Sequence, residues 1–232
     1  LLFAQRDIEK VTIPSFVKCI SSFAFSYCSN LESIEFLEDS KLNSIGEGAF
    51  SYSPLTKISI PSNVVELKER WCQWTSELTS VSISLKNKHF KNIEGNMIVG
   101  KLNEKSDDFD VLVFANRNID EVKIPKNIKH INSFSFSYCD RIRIIDLTEN
   151  EEIESIGEYS FSCSSLEKIK FSSNIKKIGH NSFMWCKNLQ SIEIPSESKL
   201  QSIEKETFDH SSIKSIFIPK NLTQLKDGWC SG

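Results

Sequence analysis

The chain has 232 residues, 39% of them hydrophobic and 25% charged, with a formal net charge of −3, the balance of an ordinary soluble protein. Lys, Arg, Asp and Glu are scattered along its whole length, which excludes the basic footprint of a nucleic-acid binder and a polybasic membrane-facing run. No apolar stretch approaches the roughly 20 residues that cross a bilayer, so no membrane insertion is expected.

From the start of the chain, pairs of apolar residues flanking one mostly polar residue recur. They are Val11/Ile13, Ile34/Phe36, Ile58/Ile60, Val81/Ile83, Val122/Ile124, Ile145/Leu147, Ile169/Phe171, Ile192/Ile194 and Ile216/Ile218. Their first members are 23, 24, 23, 41, 23, 24, 23 and 24 residues apart. Period-two alternation rich in Ile and Val is a strand signal. Pro14, Pro61, Pro125, Pro195 and Pro219 directly follow such pairs and, lacking an N–H, end the strand. An Ile or Leu comes next (Ile20, Ile45, Leu67, Ile131, Ile156, Ile178, Ile203, Leu225), then an aromatic (Phe25, Phe50, Trp71, Phe136, Phe161, Phe183, Phe208, Trp229). A repeat of this length is a coil that returns to one place each turn, so that stacked coils share one core. Successive strands then pair in parallel about 4.8 Å apart, and the aromatic is expected as a wedge on the outer, convex side.

The stretch 84–121 breaks the register but stays apolar. Met97-Ile98-Val99 and Val111-Leu112-Val113-Phe114 surround a polar segment with Ser106-Asp107-Asp108, which reads as a hairpin-like insertion, with a tight turn at Gly95-Asn96 before it. A longer symmetry lies above the repeat. Segment 1–83 aligns without gaps on 112–194, an offset of 111: Leu1-x-Phe3-Ala4-x-Arg6 matches Leu112-x-Phe114-Ala115-x-Arg117, and Phe25-Ser26-Tyr27-Cys28 matches Phe136-Ser137-Tyr138-Cys139. Asn63 to Cys72 likewise resembles Asn221 to Cys230. With no initiator Met and no secretory signal at its start, the chain is expected to be a piece of a longer array.

The pattern Ile-Pro-x-x-Ile-x-x-Ile-x-x-x-x-Phe-x-x-Cys-x-x-Leu-x-x-Ile, which runs almost whole from Ile124-Pro125 through Phe136, Cys139, Ile142 and Ile145, resembles the BspA-like leucine-rich repeats. Asn-x-x-Phe-x-x-Ile-x-Gly, from Asn87 to Gly95, is similar to that family's recurring interruption. The resemblance covers nearly the entire chain. It implies a surface protein, of oral bacteria or of parasitic protists of the Trichomonas and Entamoeba type, whose arrays are associated with adhesion to host matrix proteins or to other cells. The expected fold is a leucine-rich-repeat solenoid, a right-handed α/β-type horseshoe dominated by β structure. It would have a short parallel concave sheet, short 3-10 or helical turns on the convex side, and one hairpin-like insertion. The expected division is repeats over 1–83, the insertion over 84–121, and a second block of repeats over 122–232.

Seven cysteines in a surface protein invite disulfides, but the register argues otherwise. Cys28, Cys139 and Cys186 each lie three residues after the repeat Phe, where Ser53, Ser164 and Ser211 stand in other coils. Cys139 and Cys186 are then two rungs, about 10 Å, apart, beyond the roughly 7 Å that a bridge spans. The reading is a ladder of small buried thiols and hydroxyls, to which Cys72 and Cys230 are also assigned; Cys19 and Cys163 sit off it in separate repeats. His89, His130, His180 and His210 share no ligand spacing. Asp107, Asp108 and Asp110 lack the Gly and terminal Glu of a calcium loop and read as a solvated turn. No base–nucleophile pairing is visible. No catalytic residue, metal or cofactor is expected, and the chain is not expected to be an enzyme. Asn63, Asn127, Asn174 and Asn221 are read as bonding backbone at the turn after the strand, although Asn221-Leu222-Thr223 is formally a glycosylation sequon.

The remaining candidate is the strand face that the core does not use. Between the paired apolar residues stand Glu35, Ser59, Ser82, Lys123, Asp146, Lys170, Glu193 and Phe217, and alternation places them on one stripe of the concave sheet. Solenoids bind on such surfaces. Lys123, Asp146 and Lys170 are expected to pair across rungs, and the mixed charge points to a protein partner rather than a polyanion, with Phe217 as the exposed apolar contact. The reading is a non-catalytic cell-surface adhesion or recognition module; the alternative is a structural spacer with no ligand of its own.

Overall fold

The computed structural model describes residues 5–103 and 105–231; the Leu1, Phe3 and Ala4 half of the 111-residue match lies outside them. The chain divides into two compact units, residues 1–107 and 108–232.

In the first unit the strands are β1 (Lys10–Ile13), β2 (Cys19–Ile20), β3 (Ser33–Phe36), β4 (Ser44–Ile45), β5 (Lys57–Ile60), β6 (Glu66–Leu67), β7 (Ser80–Ile83), β8 (Phe90–Ile93) and β9 (Met97–Gly100). β1, β3, β5 and β7 form one parallel sheet, with Val11 beside Ile34, Ile34 beside Ile58 and Ile58 beside Val81. Each coil also contributes a second, two-residue strand: β2, β4 and β6 form a separate parallel ladder with Ile20, Ile45 and Leu67 in register. One strand per repeat was expected; the described coils carry up to two.

The second unit repeats the plan with β10 (Val111–Ala115), β11 (His130–Ile131), β12 (Ile144–Asp146), β13 (Ser155–Ile156), β14 (Lys168–Lys170), β15 (Lys177–Ile178), β16 (Ser191–Glu193), β17 (Ser202–Ile203) and β18 (Gln224–Leu225). β12, β14 and β16 form the long-strand sheet. β10, β11, β13, β15, β17 and β18 run in parallel through the short-strand ladder. The pairs Val122/Ile124 and Ile216/Ile218 lie outside the described strands.

The insertion contains a tight hairpin before its polar segment. β8 and β9 pair antiparallel about Glu94-Gly95-Asn96, Phe90 facing Gly100 and Ile93 facing Met97. The turn is built by two successive left-handed residues, Glu94 and Gly95, at φ 53° and 75°, the geometry of a tight hairpin turn. The turn anticipated at Gly95-Asn96 is thus present, and it joins β8 to β9. Val111–Ala115 pairs in parallel with His130–Ile131.

Helical turns were also expected on the outer side, yet the described residues contain no helix. The reason lies in the backbone. Phe23 and Tyr27, then Phe134 and Tyr138, adopt left-handed φ values between 57° and 61°. A left-handed residue at every fourth position breaks the run of right-handed residues that a helix requires and turns alternate amides outward. The amides of Phe23, Phe25 and Tyr27 therefore donate to Glu47, Ala49 and Ser51 of the next coil at 2.8–2.9 Å, while those of Ala24, Ser26 and Cys28 close local turns. A left-handed residue that is not glycine costs about 1 kcal/mol or more, offset here by a complete cross-coil ladder.

The core follows the sequence pattern. Phe25, Phe50, Phe136, Phe161, Phe183 and Phe208 are at most 1% exposed and stack coil on coil, with centroids 5.1 Å apart from Phe136 to Phe161 and from Phe161 to Phe183. Gly46 and Gly157 follow the short strand where coils touch: a Cβ at either would meet the preceding coil's backbone at 2.5 Å.

Candidate functional site

The exposed face of the long-strand sheet is two columns wide in each unit. In the first unit, Thr12 lies beside Glu35 and Ser59 beside Ser82, while Lys10, Ser33, Lys57 and Ser80 form the neighbouring column. Glu35, Ser59 and Ser82 are exposed. Thr12, bracketed by Val11 and Ile13, belongs to the first column, and the whole second column shares this face although apolar pairs bracketing a single residue do not point to it. The signal was available: in a period-two strand the residue before the pair shares a face with the residue inside it.

In the second unit Asp146, Lys170 and Glu193 are successive neighbours, and Ile144, Lys168 and Ser191 flank them. Lys170 Nζ donates to Asp146 Oδ2 at 2.7 Å, and the other carboxylate oxygen accepts from the Thr148 hydroxyl at 2.6 Å and its amide at 3.1 Å. These bonds, the Lys170 one foremost, hold the Asp146 carboxyl down at about 2; the same contact raises Lys170. Lys168 pairs with Glu193, and Arg143 Nε lies 3.4 Å from Glu167. Lys123 stands apart from this network: it is exposed, outside any strand, and forms no ion pair among the described residues. Of the three-residue pairing expected there, the structure joins Asp146 and Lys170 only. Phe217 is 54% exposed, and its neighbour Ile218, read as core, is 44% exposed; Ile144, in β12, is 58% exposed.

The ladder beneath carries the polar groups. Cys186 Sγ donates to Phe161 O of the preceding coil at 3.0 Å, and Cys139 Sγ to Asn116 O at 3.7 Å. Burial pushes these thiols up, to about 12 for Cys186 and about 11 for Cys139. Ser53 instead bonds Phe50 O of its own turn at 2.7 Å. Cys72 is not on this ladder. Trp71 O accepts the Phe50 amide just as Ala49 O accepts that of Phe25, so Cys72 takes the Phe place and Thr75, bonded to Cys72 O at 2.6 Å, takes the ladder place. Trp229 O receives the Phe208 amide in the same way, which puts Cys230 in the Phe register too. No disulfide joins the cysteines of the described residues; Cys19 and Cys230 are exposed.

Asn63, Asn127, Asn174 and Asn221 each donate to a backbone carbonyl, but one coil back rather than in their own turn: Ser40, Phe109, Glu151 and Ser198, at 2.5–2.9 Å. His130 Nδ1 lies 2.7 Å from Ser155 Oγ. Asp110 is buried with Lys129 Nζ at 3.5 Å, so it is not part of a solvated turn. The described residues hold no group of three or more His, Cys, Asp or Glu suited to a metal ion, and no helix long and apolar enough to cross a membrane.

Stacked parallel strands in coils of this length, with a shared Leu, Ile and Phe core, define a leucine-rich-repeat β-solenoid. The family model for the BspA type leucine-rich repeat region matches six copies over residues 2–103 and 109–230. The chain belongs to that family. Among solved structures it is similar to the pneumococcal vaccine antigen PcpA, at 22% identity and TM-score 0.70, over 95% of this chain and 47% of that one. It is also similar to a leucine-rich cell surface protein of Faecalibacterium prausnitzii, at 24% identity and TM-score 0.69, over 97% and 51%. A leucine-rich-repeat protein of Eubacterium ventriosum matches at 20% identity and TM-score 0.59, over 97% and 77%. The chain spans about half the length of the first two. A search of curated proteins found no match.

Proposed function

We propose that the chain is a cell-surface recognition module that binds a protein partner, such as a host matrix protein, on the exposed face of its long-strand sheets. The observation that carries this reading is the exposed row itself. One sheet holds Glu35, Ser59 and Ser82 and the other Asp146, Lys170 and Glu193, each at one strand spacing per residue, and rows of outward side chains on a rigid sheet are how solenoids present a binding surface. The uncovered apolar groups Ile144, on the second sheet, and Phe217 would supply the anchors that protein interfaces need. A surface location draws support from the neighbours described as a vaccine antigen and a cell surface protein. The test is binding of the purified chain to a panel of immobilised matrix proteins, comparing wild type with Lys170→Ala/Phe217→Ala. At least about tenfold weaker binding by the double variant is expected for two interface-centre residues. Unchanged binding would remove the sheet face from the interface, and an absence of any binding would leave the array a spacer.

A further inference from the structure

The short-strand side of the first unit carries a feature of a different kind. A cleft of about 880 Å³ lies over β2 and β4 and the turns that follow the long strands, lined by Lys18, Lys41, Lys86, Lys88 and His89, with no Asp or Glu among its lining residues. The lysines are exposed, and among the described residues none of the four is ion-paired. The nearby Glu66 of β6 is engaged by Lys68. The rest of the lining is amide and hydroxyl, with Asn43, Ser44, Ser62 and Asn63, and little apolar surface beyond Val65 and Cys19. In a chain of net charge −3, this is a local concentration of one sign in a concave surface, which focuses the field outward.

The second unit shows that the fold does not require it. At the offset of 111 residues, Lys41 and Asn43 become Glu152 and Glu154 while Lys18 becomes Lys129. There Lys176, which stands in place of Val65, pairs with Glu154 at 2.8 Å, and Lys129 with Asp110. The same surface is neutralised in one unit and left uncompensated in the other.

We propose that this cleft binds a sulfated oligosaccharide. Ammonium groups carried on adjacent coils face sulfates as point charges, and the Asn and Ser groups between them match sugar hydroxyls in both donor and acceptor roles. The lining has no Phe, Tyr or Trp to form a base-stacking platform, only the His89 imidazole, no arginine fork for a phosphodiester, and too little apolar surface to anchor a peptide side chain. The volume suits a ligand of a few sugar rings. The site is separate from the sheet face, and its ligand is of another class.

The experiment is titration of the chain with a heparin hexasaccharide at rising salt. Binding is expected to weaken at least about tenfold between about 50 and about 300 mM NaCl, as screening of a multiply charged contact requires. Lys18→Gln/Lys41→Gln/Lys88→Gln is expected to weaken it by a further factor of about ten or more, whereas Lys123→Gln/Lys126→Gln/Lys220→Gln, equal in net charge and exposed in the second unit, leaves it within about twofold. Equal losses in the two triples, no binding by the wild type, or equal affinity for polyglutamate or a single-stranded oligonucleotide would each overturn the proposal. Gln replacement of exposed lysines leaves the core intact, and unchanged circular dichroism of both triples establishes that the comparison is between folded proteins.

Discussion

The indole of Trp71 packs edge-on against the ring of Phe50, centroids 6.2 Å apart at 86°, although Trp71 occupies the backbone place of an alanine rather than of a phenylalanine. The larger ring reaches the Phe column from one residue earlier, and Cys72 fills the smaller space left in that column. Trp229 covers Phe208 in the same way, at 6.2 Å and 81°.

Trp71→Ala should therefore uncover the Phe50 ring and cost about 3–5 kcal/mol. Adding Cys72→Phe returns a ring to the stacking column and should recover about half of that loss. Urea unfolding of both variants checks this; no recovery in the double variant would mean that Trp71 is held by some other contact.

The close approach of coils at glycine predicts a second effect. In Gly157→Ala the new Cβ would lie 2.5 Å from Ser133 N and 2.7 Å from Asn132 C, a backbone clash that no side-chain rotation relieves. A loss of about 1–3 kcal/mol is expected from overpacking. Thermal unfolding should show a lower midpoint, whereas Gly95→Ala, with open space around its Cβ but a φ of 75°, should lose only about 1 kcal/mol through backbone strain.

The Asp146–Lys170 pair fixes an acid dependence. The Asp146 carboxyl titrates at about 2 in the folded chain, below its ordinary 3.8. Its contribution is thus complete above about pH 4 and is lost as the pH falls toward 2. Because both side chains are substantially exposed, solvent screening limits the effect to about 1 kcal/mol or less. Wild type should lose slightly more stability than Lys170→Gln between pH 4 and 2; an equal loss in the two proteins would show the pair to be energetically silent.

Thiol reactivity should follow burial. With Cys139 and Cys186 buried and pushed up to about 11 and about 12, almost no thiolate forms at neutral pH. Brief native iodoacetamide treatment read by mass spectrometry should modify the exposed Cys19 and Cys230 and spare Cys139 and Cys186 until denaturant is added.

The repeat length, the long strands and the Phe stack were legible in the residues because they rest on local alternation and on a period that any packed coil must keep. Ile34, Ile58 and Val81 lie in register as their spacing requires, and Asp146 beside Lys170 follows from the same count. What the tertiary structure decided depends on partners distant in the chain. Val111–Ala115 is apolar enough for more than one kind of partner, and only the stack of coils seats His130–Ile131 beside it in parallel. Left-handed backbone at Phe23, Tyr27, Phe134 and Tyr138 has no local residue signal, since glycine is the usual marker; the carbonyls of the next coil draw those amides outward. Arg117, 2% exposed, donates to the carbonyls of Ala115, Phe134 and Ser135 and lies 4.5 Å over Phe114, a burial no composition rule favours. The period belongs to the sequence because each coil writes it alone; the turn geometry and the buried arginine belong to the stack, because only a neighbouring coil supplies the acceptors that offset their cost.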